Sequence, residues 1–179
     1  VDAFVFDKTG TLTYGQPIVT DISDLSLLMF VASLENYSEH PLALAIVKEA
    51  KDKDIELMPV KHFENLVGNG VIGVVDGRTI LVGNLKLMHK YDVLNVDSYI
   101  EEVSGLSSQG KTVMYIAVDG VVEGYIAVAD KLRSESKVVV QKLEEMGVEV
   151  VMLTGDNERT AQYIGSELGI NHIISEVYP

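Results

Sequence analysis

The 179-residue sequence has no cysteine and few basic residues. Without cysteine, neither a disulfide framework nor a thiolate metal site can exist in these residues. Only 14 Lys and Arg stand against 27 Asp and Glu, which gives a formal net charge of -13. Because a phosphate backbone is bound by clustered cations, this balance argues against a nucleic-acid partner. It also disfavours binding to an anionic membrane surface.

Long apolar runs are absent as well, so no membrane-spanning segment is predicted. The most hydrophobic stretches, 113–118 and 121–128, are short and are separated by Asp119-Gly120. With 47% hydrophobic and 23% charged residues, the composition is that of a globular protein. Because the chain opens inside the apolar run 1–6, we expect it to be a fragment of a longer protein.

The two ends of the sequence have a parallel α/β pattern. Residues 3–6 are an apolar run that stops at Asp7, which predicts a strand buried on both faces. A second buried strand is predicted over 148–153, followed by the polar group 154–157. In parallel sheets ligands bind at the carboxyl ends of the strands, so both polar ends are candidate sites.

Two predicted helices flank the second strand. For the helix before it, Ser134 is the predicted cap and Gly147 the stop. Gly169 is the predicted stop of the helix after it. The expected core-facing residues are Val139, Leu143 and Met146 in the first helix and Ala161, Ile164 and Leu168 in the second.

The middle of the chain has a different pattern. Asp76-Gly77 and Asp119-Gly120 each lie between apolar runs, which predicts two tight β-hairpins and hence an antiparallel sheet. We therefore expect a discontinuous α/β domain over 1–16 and 127–179, with an inserted α+β module over 17–126. Helices are predicted in the module over Leu25–Leu34, Pro41–Lys53 and about Ser98–Ser107.

Asp7 is a candidate nucleophile, since a carboxylate at a strand end next to a cation and a turn is suited to covalent catalysis. Attack on phosphorus requires nearby positive charge and N–H groups to screen the phosphate oxygens, which Lys8 and the turn 9–11 offer. An isolated Asp before a turn more often simply ends a strand. The longer string Asp7-Lys8-Thr9-Gly10-Thr11-Leu12-Thr13 is far more specific.

That string is identical to the phosphorylation signature of P-type ATPases, which are haloacid-dehalogenase-like phosphotransferases. Thr154-Gly155-Asp156 resembles the second signature of the family, and Asp130-Lys131-Leu132-Arg133 resembles its hinge. The resemblance implies a Rossmann-type parallel sheet, incomplete at its C-terminal end, with an inserted nucleotide-binding domain. It implies that Thr154 binds the transferred phosphoryl group and that Asp156 helps to organise Mg²⁺ and phosphate, although helix capping by Asp156 and Asn157 is also open.

Position 9 separates a pump from a phosphatase. Soluble phosphatases of the superfamily usually have a second Asp two residues after the nucleophile, whereas Thr9 activates water poorly. An aspartyl phosphate at Asp7 should therefore persist, as a pump requires. The candidate catalytic residues are Asp7, Lys8, Thr9, Thr154, Gly155 and Asp156, with Mg²⁺ expected at Asp7 and Thr9.

The inserted module resembles the nucleotide domain of heavy-metal-transporting P-type ATPases. The segment 35–43 contains Ser-Glu-His-Pro, and the resemblance implies that Glu35 and His40 line an adenine pocket. An imidazole can stack on a purine, and a carboxylate can accept a hydrogen bond from its amine. Lys111-Thr112 also resembles the family but receives no role. Further nucleotide-binding candidates, each weak alone, are Gly68, Gly70, Gly83 and Asn84.

Two family elements are absent: a Lys motif beyond the second signature and a Gly-Asp-Gly-x-Asn-Asp loop with Mg²⁺-binding carboxylates. We therefore expect this chain to bind ATP but to phosphorylate Asp7 weakly or not at all. Its expected partners are ATP and the transmembrane and actuator domains of the same polypeptide, which would make it a cytoplasmic domain of a membrane protein. Copper is the first expected ion, followed by zinc or cadmium. A soluble phosphatase with a cap domain and a non-catalytic nucleotide sensor remain alternatives.

Overall fold

The computed structural model describes residues 2–177 and divides the chain into two compact units. The predicted outer domain limits at residues 1 and 179 lie outside the described residues. Residues 106–112 lie inside the predicted insertion 17–126 but belong to the first unit. The first unit is Val1–Pro17, Leu106–Thr112 and Ala129–Pro179, and the second is Ile18–Gly105 and Val113–Val128.

Nine strands and six α-helices are assigned within residues 2–177. The strands are β1 (Ala3–Asp7), β2 (Ile18–Ile22), β3 (Val60–Leu66), β4 (Gly70–Val75), β5 (Arg78–Gly83), β6 (Thr112–Val118), β7 (Val121–Ala129), β8 (Glu149–Leu153) and β9 (His172–Ile174). The helices are α1 (Leu28–Glu35), α2 (Pro41–Asp52), α3 (Leu85–Lys90), α4 (Asp97–Ser107), α5 (Ser134–Glu145) and α6 (Glu158–Leu168).

The first unit contains a three-stranded parallel sheet in the order β1-β8-β9, as the α/β pattern predicted. The prediction that β1 is buried on both faces is wrong. Within residues 2–177, β1 pairs only with β8, and Phe4 and Val5 are 43% and 59% exposed. An apolar run predicts a strand, but its burial depends on neighbours that the run itself does not specify.

The helices of this unit pack on the sheet through a small apolar core. The predicted face of α6 is confirmed, and the helix stops at Gly169, which has a φ of +83°. The predicted face of α5 is wrong in part, because Val140 is the fully buried residue while Val139 and Met146 are 44% and 75% exposed. Its N-cap is Arg133 rather than Ser134. The buried core residues are Leu12, Val140, Val150, Met152, Ala161, Ile164, Leu168 and Ile170.

The second unit contains a six-stranded sheet in the order β2-β7-β6-β5-β4-β3, with antiparallel pairing from β3 to β6. Both predicted hairpins are present. Asp76 and Gly77 have φ values of +49° and +72°, and Asp119 and Gly120 have +49° and +83°. Positive φ at both central residues is the type I′ geometry that Asp-Gly favours. The mixed fold with one parallel and one antiparallel sheet is therefore confirmed.

Two helices of the second unit pack with its sheet. The predicted helix over 25–34 begins instead as a 3₁₀ turn at Leu25–Leu27, capped by Asp24, and continues as α1 to Glu35. Leu28, Leu34 and Ile46 of α1 and α2 are fully buried with residues of β4 to β7. The short helix α3 was not predicted. Among residues 2–177, no helix has the length and apolar character needed to cross a bilayer.

Candidate active site

Asp7 lies at the carboxyl end of β1, directly paired in register with Leu153 at the end of β8. Because the strands are parallel, the loops after both of them leave from the same edge of the sheet. Asp7 and Thr9 are exposed there. Gly10 has a φ of +78°, which turns the loop back, and its N–H donates to Thr13 Oγ1 at 3.1 Å. The structure thus presents the Asp7 carboxyl group to solvent beside a tight loop.

Unlike the exposed Asp7, Lys8 is buried and forms an ion pair with Asp156. Its Nζ lies 2.5 Å from Asp156 Oδ2, and the two side chains are only 9% and 12% exposed. Thr154 Oγ1 donates to the same carboxylate oxygen at 3.0 Å and accepts from the Asp156 N–H at 3.1 Å. A buried cation is costly unless it is paired, so Asp156 compensates the charge that the signature places next to the nucleophile.

Capping of α6 is carried out by Asn157 rather than Asp156. Asn157 Oδ1 accepts from the Thr160 N–H at 3.0 Å, whereas the Asp156 carboxylate faces Lys8 and Thr154. The exposed Gly155 lies between Thr154 and Asp156 in the sequence, and an added Cβ there would be 3.3 Å from the Val177 carbonyl oxygen. Of the two candidate capping residues, Asn157 is therefore the one that caps α6.

The candidate hinge, residues 130–133, forms hydrogen bonds to the signature loop. Asp130 Oδ2 accepts from Thr13 Oγ1 at 2.5 Å and from the Gly15 N–H at 3.0 Å. Arg133 donates from Nε to the Thr13 carbonyl at 2.9 Å and from Nη2 to the Gly10 carbonyl at 3.3 Å. These bonds join residues more than 100 positions apart, so Asp130 and Arg133 fasten the signature loop to the segment that follows β7.

The exposed carboxylate of Asp7 is compatible with Mg²⁺. Among residues 2–177, no three His, Cys, Asp or Glu side chains converge as a metal site. Mg²⁺ at phosphate-transfer sites is commonly held by one or two carboxylates, with phosphate and water supplying the other oxygens. Asp7 fits as one such ligand and Thr9 can add an oxygen, while Asp156 is already bonded to Lys8.

In the second unit, His40 caps helix α2. Its Nδ1 accepts from the Leu42 N–H at 3.2 Å, Pro41 occupies the first helical turn, and the ring is exposed. An imidazole that accepts through Nδ1 carries its proton on Nε2, so this nitrogen is the donor. His40 is therefore the N-cap of α2.

Glu35 is the last residue of α1 and is 6% exposed. Burial raises the pKa of its carboxyl group to about 7, because removal from water penalises the charged form. Its carbonyl oxygen accepts from the Ser38 N–H at 2.9 Å, which starts the short connection to His40. The group is therefore poised between its neutral and charged forms near neutral pH.

The four remaining candidates form one cluster of backbone contacts. Gly70 has a φ of +141° and is paired in register with Gly83. An added Cβ would lie 2.1 Å from the Val82 carbonyl oxygen at Gly70, and 2.1 Å from the Asn69 carbonyl oxygen at Gly83. Both positions therefore require glycine for strand packing alone.

Asn84 joins this cluster to helix α3. Its Nδ2 donates to the Gly68 carbonyl oxygen at 2.8 Å, and its Oδ1 accepts from the Leu87 N–H at 3.0 Å as the N-cap. The structure thus brings Gly68, Gly70, Gly83 and Asn84 together, and it separately brings together Lys8, Thr154 and Asp156.

Sequence reasoning missed one contact to the candidate active site. Thr112 Oγ1 donates to Asp156 Oδ1 at 3.1 Å. The available signal was the Lys111-Thr112 resemblance, but 44 residues separate Thr112 from Asp156 and only the fold brings them together.

Comparison with known proteins supports the resemblance found in the motifs. A family model described as haloacid dehalogenase-like hydrolase matches residues 1–178. A copper-exporting P-type ATPase of Staphylococcus epidermidis is 46% identical over 180 residues, covering 100% of this chain and 23% of that protein. The chain thus spans less than a quarter of the length of this relative.

Solved structures give the same picture. The catalytic domain of the CPx-ATPase CopB-B, studied for changes upon nucleotide binding, has a TM-score of 0.75 and 32% identity, covering 100% of this chain and 62% of that one. A zinc-transporting PIB-type ATPase in its E2.Pi state has a TM-score of 0.68 and 34% identity, covering 99% of this chain and 29% of that one. The fold and the motifs of the chain therefore resemble the catalytic region of heavy-metal P-type ATPases.

Proposed function

The chain belongs to the haloacid dehalogenase-like hydrolase family, and on that premise we propose that it is the ATP-binding and phosphorylation part of a copper-exporting P-type ATPase. The observation that carries the proposal is the exposed Asp7 at the end of β1, with Lys8 held beside it by Asp156 from the neighbouring loop. In the whole protein this part would lie on the cytoplasmic side and act with transmembrane and actuator domains of the same polypeptide.

In the proposed reaction, an Asp7 carboxylate oxygen attacks the γ-phosphorus of ATP. A bond forms from Asp7 to phosphorus, the bond from phosphorus to the bridging β–γ oxygen breaks, and ADP leaves with that electron pair. Asp7 and Thr9 would hold Mg²⁺, which would supply positive charge to offset the negative charge of the phosphate. Lys8 adds a fixed positive charge to the loop, and Thr154 is proposed to bind the transferred group.

The resulting aspartyl phosphate should be long-lived because Thr9 cannot act as a general base toward water. This property favours a pump over a soluble phosphatase of the same family. Rapid turnover of p-nitrophenyl phosphate by the chain, abolished by Asp7→Asn, would instead support the phosphatase.

Nucleotide binding is proposed for the second unit, with Glu35 and His40 at the adenine. Since His40 also caps α2, His40→Ala removes both the cap and the ring. His40→Asn separates the two effects, because Asn is a good N-cap and lacks the imidazole. We expect both variants to weaken Mg-ATP binding in calorimetry by about tenfold or more, while His89→Ala, at an exposed position in α3, leaves it unchanged. Full affinity in His40→Asn would remove His40 from the pocket.

Phosphorylation is best tested in a chimera in which this chain replaces the aligned region of the Staphylococcus epidermidis relative. We expect copper-stimulated, hydroxylamine-sensitive labelling from γ-labelled ATP, and none with Asp7→Asn. An inactive chimera beside an active parent, or equal labelling of Asp7→Asn, would overturn the proposal. Stimulation by zinc rather than copper would assign the chain to the group of the zinc-transporting structure.

A further inference from the structure

The residues from the end of α4 to the start of β6, Ser107–Thr112, are here called the return segment. They are docked on α6 and on the loop before it, entirely within the first unit. Gly110 lies against the Tyr163 ring so closely that an added Cβ would be 2.5 Å from a ring carbon. Thr160 Oγ1 donates to the Lys111 carbonyl oxygen at 2.9 Å. The third contact is the hydrogen bond from Thr112 to Asp156.

This third contact completes the hydrogen bonding of the Asp156 carboxylate. Lys8 Nζ and Thr154 Oγ1 both approach Oδ2, at 2.5 and 3.0 Å, whereas Thr112 Oγ1 approaches Oδ1 at 3.1 Å. A carboxylate that is hydrogen-bonded through one oxygen only can change its orientation by rotation about its Cα–Cβ and Cβ–Cγ bonds. With a donor on the second oxygen, the orientation that directs Oδ2 at Lys8 is selected.

We propose that Thr112 is a positioning residue of the Asp7 site, whose hydroxyl holds Asp156 in the orientation that fixes the Lys8 ammonium group. This inference rests on the proposed function, because the geometry it maintains matters for phosphoryl transfer. Thr112 touches neither Asp7 nor any reacting atom in this arrangement; it acts through Asp156. The Lys111-Thr112 resemblance, which the sequence left without a role, thereby acquires one.

The physical reason is the low exposure of the pair. With side chains 9% and 12% exposed, Lys8 and Asp156 have little water available to replace a lost donor. Removing the Thr112 hydroxyl therefore leaves Asp156 Oδ1 without this hydrogen bond. The carboxylate would then be free to rotate toward another donor. Lys8, which follows Asp7 directly, would then lose its fixed position.

The first experiment measures the orientation of Asp156 in this chain by NMR. Three-bond couplings to its side-chain carboxyl carbon report the χ1 rotamer, and the ¹⁵N signal of the Lys8 ammonium group reports its protection from water. We expect a single Asp156 rotamer and a visible Lys8 signal in the unsubstituted chain and in Thr112→Ser. In Thr112→Val, which is nearly isosteric but lacks the hydroxyl, we expect rotamer averaging and loss of the Lys8 signal.

Thr160→Val is the matched control for docking of the return segment. It removes the hydroxyl that holds Lys111 but leaves Thr112 and Asp156 in place. If Thr160→Val averages the Asp156 rotamer as strongly as Thr112→Val, the segment acts by packing alone and the proposal is wrong. Should Thr112→Val fail to fold, the unsubstituted chain still decides: its Thr112 hydroxyl proton must exchange slowly with water, and fast exchange would overturn the proposal.

The consequence for catalysis is measured in the chimera described above. We expect Thr112→Val to slow phosphorylation by about tenfold to a hundredfold with unchanged ATP affinity, and Thr112→Ser to restore most of the rate. An unchanged rate in Thr112→Val refutes the role of this residue while the proposed function stands. If the parent chimera is not phosphorylated at all, the proposed function fails, and the NMR result still tests whether Thr112 positions Asp156.

Discussion

Lys8 and Asp156 illustrate how strongly the contribution of an ion pair to stability depends on its exposure to water. Their separation of 2.5 Å is the same as that of Lys48 and Asp52 on α2, but the side chains of the second pair are 72% and 57% exposed. Water already solvates the exposed charges and offsets most of what pairing adds, whereas the shielded cation depends on its partner.

We therefore expect Asp156→Ala to lower the free energy of unfolding by about 3 to 5 kcal/mol, because it leaves Lys8 unpaired in a nearly dry site. Asp52→Ala is the matched control and should change stability little. Urea unfolding near pH 7 measures both. Equal effects of the two substitutions would show that the Lys8 environment is wetter than the structure indicates.

The buried Glu35 carboxyl group makes the free energy of unfolding depend on pH, and the sign of this dependence follows from its pKa. Its pKa is raised by burial from 4.5 to about 7, so the folded state binds a proton that the unfolded state has released. Its contribution to stability is fully present below pH 4.5 and is lost as the pH rises through about 7. The loss at high pH is on the order of 3 kcal/mol.

Glu35→Gln should remove this dependence, making the variant more stable than the unsubstituted chain near pH 8 but not near pH 4. The comparison requires unfolding free energies across that range. Glu39→Gln, at an exposed position nearby, should leave the profile unchanged. A Glu35→Gln profile that still falls through neutral pH would assign the titration to another group.

Among the secondary-structure elements, the close contact of β4 and β5 at Gly70 and Gly83 leaves no room for a side chain. We expect Gly83→Ala to destabilise the chain by about 1 to 3 kcal/mol, since its Cβ would overlap a backbone oxygen. Gly105 in α4 has no heavy atom within 4 Å of the position of an added Cβ. Gly105→Ala should instead stabilise by about 0.5 to 1 kcal/mol. Thermal unfolding of the two variants provides the test, and a shift of the same sign in both would contradict it.

Elements with a local signal could be predicted from the sequence, and those decided by distant neighbours could not. The two Asp-Gly hairpins and the Gly169 stop follow from local backbone preferences. The core face of α5 did not follow, because apolar residues lie at both 139 and 140 and either gives a helical period. Burial of β1 was wrong for the same reason, since it depends on its sheet neighbours.

The same limit applies to the candidate active site. Asp7, Lys8, Thr154 and Asp156 could be proposed because they lie in two short motifs. The bonds from Thr112 to Asp156 and from Thr13 to Asp130 could not, because 44 and 117 residues separate the partners. A motif thus indicates which residues take part, while the fold decides how they are held.

For the whole molecule, the two-unit division makes a further prediction. The second unit has its own apolar core, built from α1, α2 and the strands of its sheet. We expect residues 18–128, which contain the whole second unit, to fold when expressed alone and to bind Mg-ATP as tightly as the full chain, measured by calorimetry. The domain prediction would be contradicted if this piece were unfolded, or if it were folded but unable to bind ATP.

Because the Lys8–Asp156 pair is shielded from water, it should respond to ionic strength differently from the rest of the molecule. The net charge of -13 makes the chain repel itself, and raising sodium chloride from about 0.01 M to about 1 M shortens the screening distance from roughly 30 to 3 Å. Thermal stability should therefore rise with salt, while the Lys8 ammonium signal in NMR stays in place because mobile ions cannot enter a pair with so little exposure. Loss of that signal at high salt would contradict this expectation. The loop that follows Asp7 would then keep its internal electrostatics across conditions that change the charge interactions of the rest of the surface.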